Sequence, residues 1–199
     1  MPSLIYRSSF VYELSMMVLY GRHYGARYRA IADLIKTGST VLDLCCGPAI
    51  LYQRHLREKS VAYIGIDINE RFVQRVIESG ALGRVGDLRS AEPLPQADYV
   101  LMQASLYHFL PDPLPVLRRM REAAKQAVII AEPVRNLTSS GLPMLGSFSS
   151  LLTDAGNGAE QARFNEQTLD ELITDSFGGT RRSFLIEGGR EKVYVLNVI

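Results

Sequence analysis

Thr40-Val41-Leu42-Asp43-Leu44-Cys45-Cys46-Gly47-Pro48-Ala49 decides the fold. Apolar, β-favouring residues run into an acid, the backbone must then turn tightly, and Ile50 to Lys59 reads as a helix. A strand, a turn and a helix start in that order leave backbone amides free to face a ligand. The acid narrows the choice. A carboxylate at this place suits a ligand with a positively charged amino-acid head and repels a pyrophosphate.

Two further strand-and-acid units follow. Val61 to Asp67 is a mostly apolar run, suited to a sheet covered on both faces, and ends in a carboxylate placed to accept hydrogen bonds from both hydroxyls of a ribose. Asn69 caps the next helix, whose apolar face is Phe72, Val73, Val76 and Ile77, with a stop at Ser79-Gly80. A short third strand around Arg84-Val85 leads into Gly86-Asp87-Leu88. Gly-Asp alone is a common turn, but three acids after three successive strands form a stronger pattern.

The segment from Asp43 to Ala49 resembles motif I of class I S-adenosylmethionine-dependent methyltransferases, small-molecule type. The resemblance implies roles for matching positions. Asp43 and the backbone of Cys45, Cys46, Gly47 and Ala49 would hold the methionine end of S-adenosylmethionine. Asp67, with Ile68 beside it, would hold the ribose. Asp87 would accept from the adenine amine, while the Leu88 amide donates to a ring nitrogen. The product would be S-adenosylhomocysteine. Relatives usually carry glycine where Cys45 and Ala49 stand. Both departures add a side chain beside the cofactor, and Pro48 removes an amide donor.

Tyr99 to Met102 reads as the fourth strand, followed by Gln103-Ala104-Ser105-Leu106-Tyr107-His108-Phe109-Leu110-Pro111-Asp112-Pro113. This resembles the fourth-strand exit of many small-molecule methyltransferases, where an aromatic or histidine pair precedes an Asp-Pro turn. His108 is the candidate general base, its unperturbed pKa lying near neutrality; the alternative is a histidine that shapes the pocket. Tyr107 lines the same place, and Gln103 is a candidate cofactor contact. The strand is not followed by the Asn-Pro-Pro-Tyr type of signature that amino-methylating DNA enzymes use. A helix from Leu114 to Ala124 and a strand from Ala127 to Ala131 complete the unit, followed by Glu132-Pro133 and Arg135-Asn136 on the edge where open α/β sheets bind substrates, with Arg135 a substrate-binding candidate.

Ahead of the motif, Phe10, Leu14, Met17 and Val18 fall on one helical stripe, and Tyr24, Tyr28, Ile31 and Ile35 on a second, closed by Gly38. Tyr12 is a substrate-binding candidate by position. Arg22, His23, Arg27 and Arg29 read as a solvated basic face, with an anion-holding patch as the alternative. After the fifth strand, residues 137–163 read as a lid with a short helix near Phe148 to Thr153. Asn165 caps a helix ending at Gly178-Gly179, and Arg182 to Ile186 with Lys192 to Val198 form a closing hairpin through Gly188-Gly189.

The 199 residues fit one structural domain. A net charge of +1 argues against general attraction to nucleic acid or anionic membrane. The two cysteines are adjacent, so they cannot staple distant segments, and a reducing cytoplasm is the expected location. The apolar run Phe10 to Tyr20 carries Glu13 and is too short for a bilayer span.

The expected architecture is a three-layer α/β/α Rossmann-like sandwich. Its seven-stranded, mainly parallel sheet has the last strand antiparallel, and residues 1–38 form a helical lid on a methyltransferase domain of residues 39–199. The expected function is methyl transfer from S-adenosylmethionine to an O, N or C nucleophile of a small molecule, by a monomer or homodimer, with no metal. Three rivals stand beside it. A nicotinamide oxidoreductase lacks its Gly-x-Gly-x-x-Gly turn here. A degenerate cofactor-binding scaffold would explain the altered turn. A methyltransferase acting on RNA or protein would use the Arg22 to Arg29 patch.

Overall fold

The computed structural model describes residues 14, 16–17, 20–134, 163–178, 180 and 182–198. Seven strands form one sheet: β1 (Thr40–Leu44), β2 (Ala62–Asp67), β3 (Leu82–Val85), β4 (Ala97–Gln103), β5 (Ala124–Pro133), β6 (Arg182–Leu185) and β7 (Glu191–Leu196). Their order across the sheet is β3-β2-β1-β4-β5-β7-β6. β1 to β5 pair in parallel, and β7 runs antiparallel to both β5 and β6. The chain therefore steps outward from β1 to β3 and returns to the other side of β1 with β4. That reversal opens a crevice at the carboxyl ends of β1 and β4, the place where open α/β sheets bind ligands.

Strand alternation builds two cores. Val41, Tyr63, Leu101, Ile129 and Val193 face one side, packed with Tyr24, Tyr28 and Ile31 of helix α1 (Tyr24–Ala32) and with Val76 of α2 (Glu70–Glu78). Leu42, Leu44, Val100, Met102, Val128 and Ile130 face the other side. They pack with Val116, Leu117 and Met120 of α3 (Leu114–Ala123) and with Leu169 and Ile173 of α4 (Glu166–Phe177). Both faces are covered, as the apolar character of the parallel strands requires, and the result is the expected three-layer sandwich.

Several boundaries differ from the sequence reading for identifiable reasons. The helix expected over Ile50 to Lys59 becomes a π-helical turn at Tyr52–Leu56 and a 3₁₀ turn at Arg57–Lys59, stopped by Ser60 at φ 51°. Within that segment Tyr52 stacks on Tyr63 with ring centroids 4.6 Å apart, and His55 stacks on Tyr28 at 6.4 Å. Helix α1 ends at Ala32 and not at Gly38. Lys59 Nζ donates to the carbonyls of Ala32 (2.5 Å) and Ile35 (2.8 Å), satisfying acceptors that the helix end leaves open.

Ile77, expected on the buried face of α2, is largely exposed beside the edge strand β3, as is Leu82. Leu14 and Met17, two of the first stripe's residues, are also exposed, while Phe10 and Val18 lie outside the described residues. Asn165 caps α4 through a full capping box, Gly178 closes it at φ 69°, and the terminal hairpin forms as read. The lid read over 137–163 falls almost wholly outside the described residues, as does residue 1 to 13 of the N-terminal segment. Residues 20–35, by contrast, contribute Tyr20, Tyr24, Tyr28, Ile31 and Ile35 to the core.

Candidate functional site

The turn after β1 places Cys45, Gly47 and Ala49 at φ 56°, 55° and 56°. Three alternate residues thus take the left-handed conformation, and only one is glycine. This is the physical reason for the glycines common at these positions, since a non-glycine residue there costs roughly 1–2 kcal/mol. The turn is pinned by three backbone amides. Cys46 N–H donates to the Ile66 carbonyl (3.2 Å), Gly47 N–H to Asp67 Oδ2 (2.8 Å) and Ala49 N–H to the Cys46 carbonyl (3.2 Å).

Gly65 makes room beneath it, because a Cβ there would stand 2.8 Å from Cys46 Sγ. Cys45→Gly is expected to shift stability by less than about 1 kcal/mol, since relief of the backbone strain offsets the lost thiol packing. Cys45→Val, β-branched in the same conformation, is expected to cost about 2 kcal/mol or more. Urea unfolding of the two variants checks the contrast.

Asp67 ends β2, buried, with Oδ2 on the Gly47 amide and Oδ1 on the Asn69 amide (2.8 Å). Each oxygen keeps acceptor capacity after one amide bond, so the two acceptor positions that remain suit the pair of donating hydroxyls of a ribose. Burial pushes the Asp67 carboxyl above its ordinary range against those amide bonds. Asp43 lies one residue inside the end of β1 and accepts from the Tyr63 hydroxyl at 2.5 Å. Burial pushes its pKa up to about 7, with the Asp67 charge adding to the effect and the Tyr63 bond opposing it.

The loop after β3 presents Asp87, exposed, with Oδ1 accepting the Arg89 amide (2.9 Å), and Leu88, buried. Arg119 of α3 holds this loop by donating Nη1 to the carbonyls of Leu88 (2.7 Å) and Ser90 (2.6 Å). Ile68 stands beside Asp67 with 63% of its surface open. The three acids therefore share one edge of the sheet.

Gln103 ends β4 with its amide on Glu191 Oε1 (2.9 Å). Glu191 also receives Arg27, whose Nε lies 2.9 Å from Oε2 and Nη2 3.4 Å from Oε1. Both charges are buried, and the Arg27 guanidinium carbon sits 4.2 Å from the Tyr20 ring centroid and 5.1 Å from that of Tyr28. This corrects the reading of Arg27 as part of a solvated basic face. The residue turns inward because Glu191 and two aromatic rings replace its hydration.

The β4 exit forms a 3₁₀ turn, Leu106–Phe109. Glu132, near the end of β5, seats it: Oε2 accepts the amides of Ser105 (3.1 Å) and Leu106 (3.0 Å). Burial pushes the Glu132 carboxyl up to about 8, with Glu191 adding to the effect. Tyr107 is buried under the Arg163 guanidinium, 3.4 Å from its ring centroid, and the His108 ring lies 4.0 Å from that of Tyr107. Burial, then the charges of Arg163 and Arg89, lower His108 to about 4. At neutral pH the imidazole is an uncharged acceptor and a weak base.

Sequence reading placed Glu132-Pro133 on the substrate edge but gave Glu132 no role, and it did not single out Glu191. The support that Glu132 gives the β4 exit depends on the register of β4 against β5, and Glu191 lies in a strand whose alternation alone would place it inward. Tyr12 and Arg135 lie outside the described residues.

Comparison with known proteins agrees with this geometry. A family described as methionine biosynthesis protein MetW matches residues 25–135. Trans-aconitate 2-methyltransferase of Mycolicibacterium gilvum (strain PYR-GCK) is 26% identical over 201 residues, covering 83% of this chain and 78% of that protein. Among solved structures, the mitomycin 7-O-methyltransferase MmcR superposes with a TM-score of 0.69 at 17% identity. The match covers 96% of this chain but only 57% of MmcR. Magnesium protoporphyrin IX methyltransferase ChlM from Synechocystis PCC 6803, solved with bound SAH, gives 0.63 at 15% identity over 88% of this chain and 81% of ChlM. At these identities the solved structures speak for the fold.

Proposed function

The chain belongs to the family of methionine biosynthesis protein MetW, within the class I S-adenosylmethionine-dependent methyltransferases, and from this premise we propose that it methylates a small-molecule acceptor. The observation that carries the reading is the shared edge of Asp43, Asp67 and Asp87 around a left-handed turn. In this reading Asp43 faces the amino-acid end of the cofactor, Asp67 the ribose, and Asp87 with the Leu88 amide the adenine. The open side chain of Ile68 supplies an apolar cover.

S-adenosylmethionine supplies, when bound, a methyl carbon made electrophilic by a sulfonium. The chain's own part is alignment and exclusion of water: Tyr107 and His108 wall the acceptor side, and His108 takes a hydrogen bond from the acceptor. The name of the trans-aconitate relative supports a small molecule as acceptor. The rival built on an Arg22 to Arg29 patch loses its central cation, because Arg27 is buried on Glu191.

Calorimetric titration with S-adenosylmethionine, S-adenosylhomocysteine and the nicotinamides tests the proposal. The first two are expected to bind and the nicotinamides are not; binding of the nicotinamides alone would sink it. The same titration reads Asp43. Its carboxyl is charged above about pH 7 and neutral below, so affinity for the positively charged amino-acid end should strengthen about five- to tenfold from pH 6 to 8. Asp43→Asn should flatten that dependence. Failure of both adenosyl ligands to bind would leave the degenerate scaffold as the reading.

A further inference from the structure

Resting on the methyltransferase reading, we propose that Glu191 is a positioning residue: held by Arg27, it orients the Gln103 amide so that the carbonyl end faces the crevice and accepts from the amino group of S-adenosylmethionine. The three residues come from three elements. Arg27 lies on α1, Gln103 ends β4 and Glu191 opens β7.

Their donors and acceptors leave one arrangement. Arg27 only donates, and its Nε and Nη2 reach both oxygens of the buried Glu191, at 2.9 Å and 3.4 Å. A carboxylate so paired only accepts, so Gln103 must turn its NH₂ to Glu191 Oε1, at 2.9 Å. The nitrogen and oxygen of an amide lie on opposite sides of the bond that carries them. With the nitrogen drawn toward β7, the oxygen is turned the other way, toward β1, which flanks β4 on its opposite side. Among the described residues no donor meets that oxygen.

The surroundings of the oxygen name its partner. Asp43 pairs in register with Leu101, and Gln103 lies two residues further along β4, so Asp43 and Gln103 share a face of the sheet at its carboxyl edge. Leu44 pairs with Met102, which sets Gln103 beside the start of the Cys45 to Ala49 turn. An ammonium group carries three donors. Asp43 gives part of its accepting capacity to the Tyr63 hydroxyl at 2.5 Å, and Gln103 adds an uncharged acceptor. Held the other way round, the amide would aim its NH₂ at the same ammonium, donor against donor.

Glu191→Gln tests the orientation with almost no change of shape. Arg27 still requires an acceptor, so the new amide gives its oxygen to Arg27 and its NH₂ to Gln103, and the Gln103 amide turns over to meet it. Calorimetry is run on the full chain with S-adenosylhomocysteine, which carries the amino group, and with methylthioadenosine, the adenosyl thioether without the amino-acid end. Glu191→Gln is expected to weaken S-adenosylhomocysteine binding about tenfold and to leave methylthioadenosine within about twofold. Gln103→Met, which removes the oxygen and keeps the chain length, should show the same selective loss. On that background Glu191→Gln should add nothing, because Glu191 acts through Gln103.

Equal S-adenosylhomocysteine affinity in wild type and Glu191→Gln would overturn the proposal. So would a parallel loss of both ligands, the mark of a merely structural pair, or a further loss on the Gln103→Met background. If Glu191→Gln does not fold, NMR of the wild type decides: the Gln103 NH₂ proton that meets Glu191 should exchange slowly, and exchange as fast as in an exposed glutamine overturns the orientation. A wild-type protein that binds neither ligand overturns the methyltransferase reading itself, and the positioning role with it.

Discussion

Asp67→Ala is expected to weaken S-adenosylmethionine binding by about a hundredfold or more. Two losses combine. The side chain removes two acceptors proposed for the ribose hydroxyls, each worth on the order of 1–2 kcal/mol when charge-assisted. It also releases the Gly47 amide, held at 2.8 Å, and so frees a turn in which three residues sit at positive φ. Strained backbone persists only where its surroundings over-determine it, and Asp67 is one of those surroundings. Asp67→Asn separates the effects: its amide oxygen can keep the Gly47 bond and thus the turn, while its NH₂ cannot accept from a hydroxyl. Calorimetry should therefore place Asn between wild type and Ala. A loss below fivefold for Ala would remove Asp67 from the cofactor site.

Arg27→Met is expected to cost about 3–5 kcal/mol of folding stability. Among the described residues the truncation leaves Glu191 in the core with the Gln103 amide as its side-chain partner, and an uncompensated buried charge is far more expensive than a broken surface pair. Met keeps most of the hydrocarbon volume against Tyr20 and Tyr28, so the loss reports the charge and not a cavity. The double variant Arg27→Met, Glu191→Leu should recover much of the stability, because two apolar residues replace a pair whose desolvation cost was high. Urea unfolding of the four members of the cycle reads the coupling. Additive single effects would show that the pair is not coupled.

Much of the frame was legible because strands covered on both faces carry their signal in composition. Val41-Leu42 and Tyr63-Ile64-Gly65-Ile66 have no other plausible place than the interior of a sheet. Capping was legible for a similar reason. Asn165 with Thr168 closes a reciprocal pair of hydrogen bonds that depends only on spacing.

The inward turn of Arg27 was not legible, since it depends on Glu191 arriving from the other end of the chain. Nor was the breakdown of the Ile50 to Lys59 helix, a product of rings meeting across elements. Within the site, the three acids were readable one by one from strand ends. The support of the β4 exit by Glu132 required the register that sets Gln103 against Ala131.

The Arg27 and Glu191 partners are 164 positions apart. Contacts at such separation form late, because the loop they close must lose its freedom before the contact repays it. Until β7 slots between β5 and β6, Arg27 has no acid to enter the interior with and stays hydrated, so α1 cannot dock firmly. Docking of α1 is thereby tied to the arrival of β7, two elements from opposite ends of the described chain.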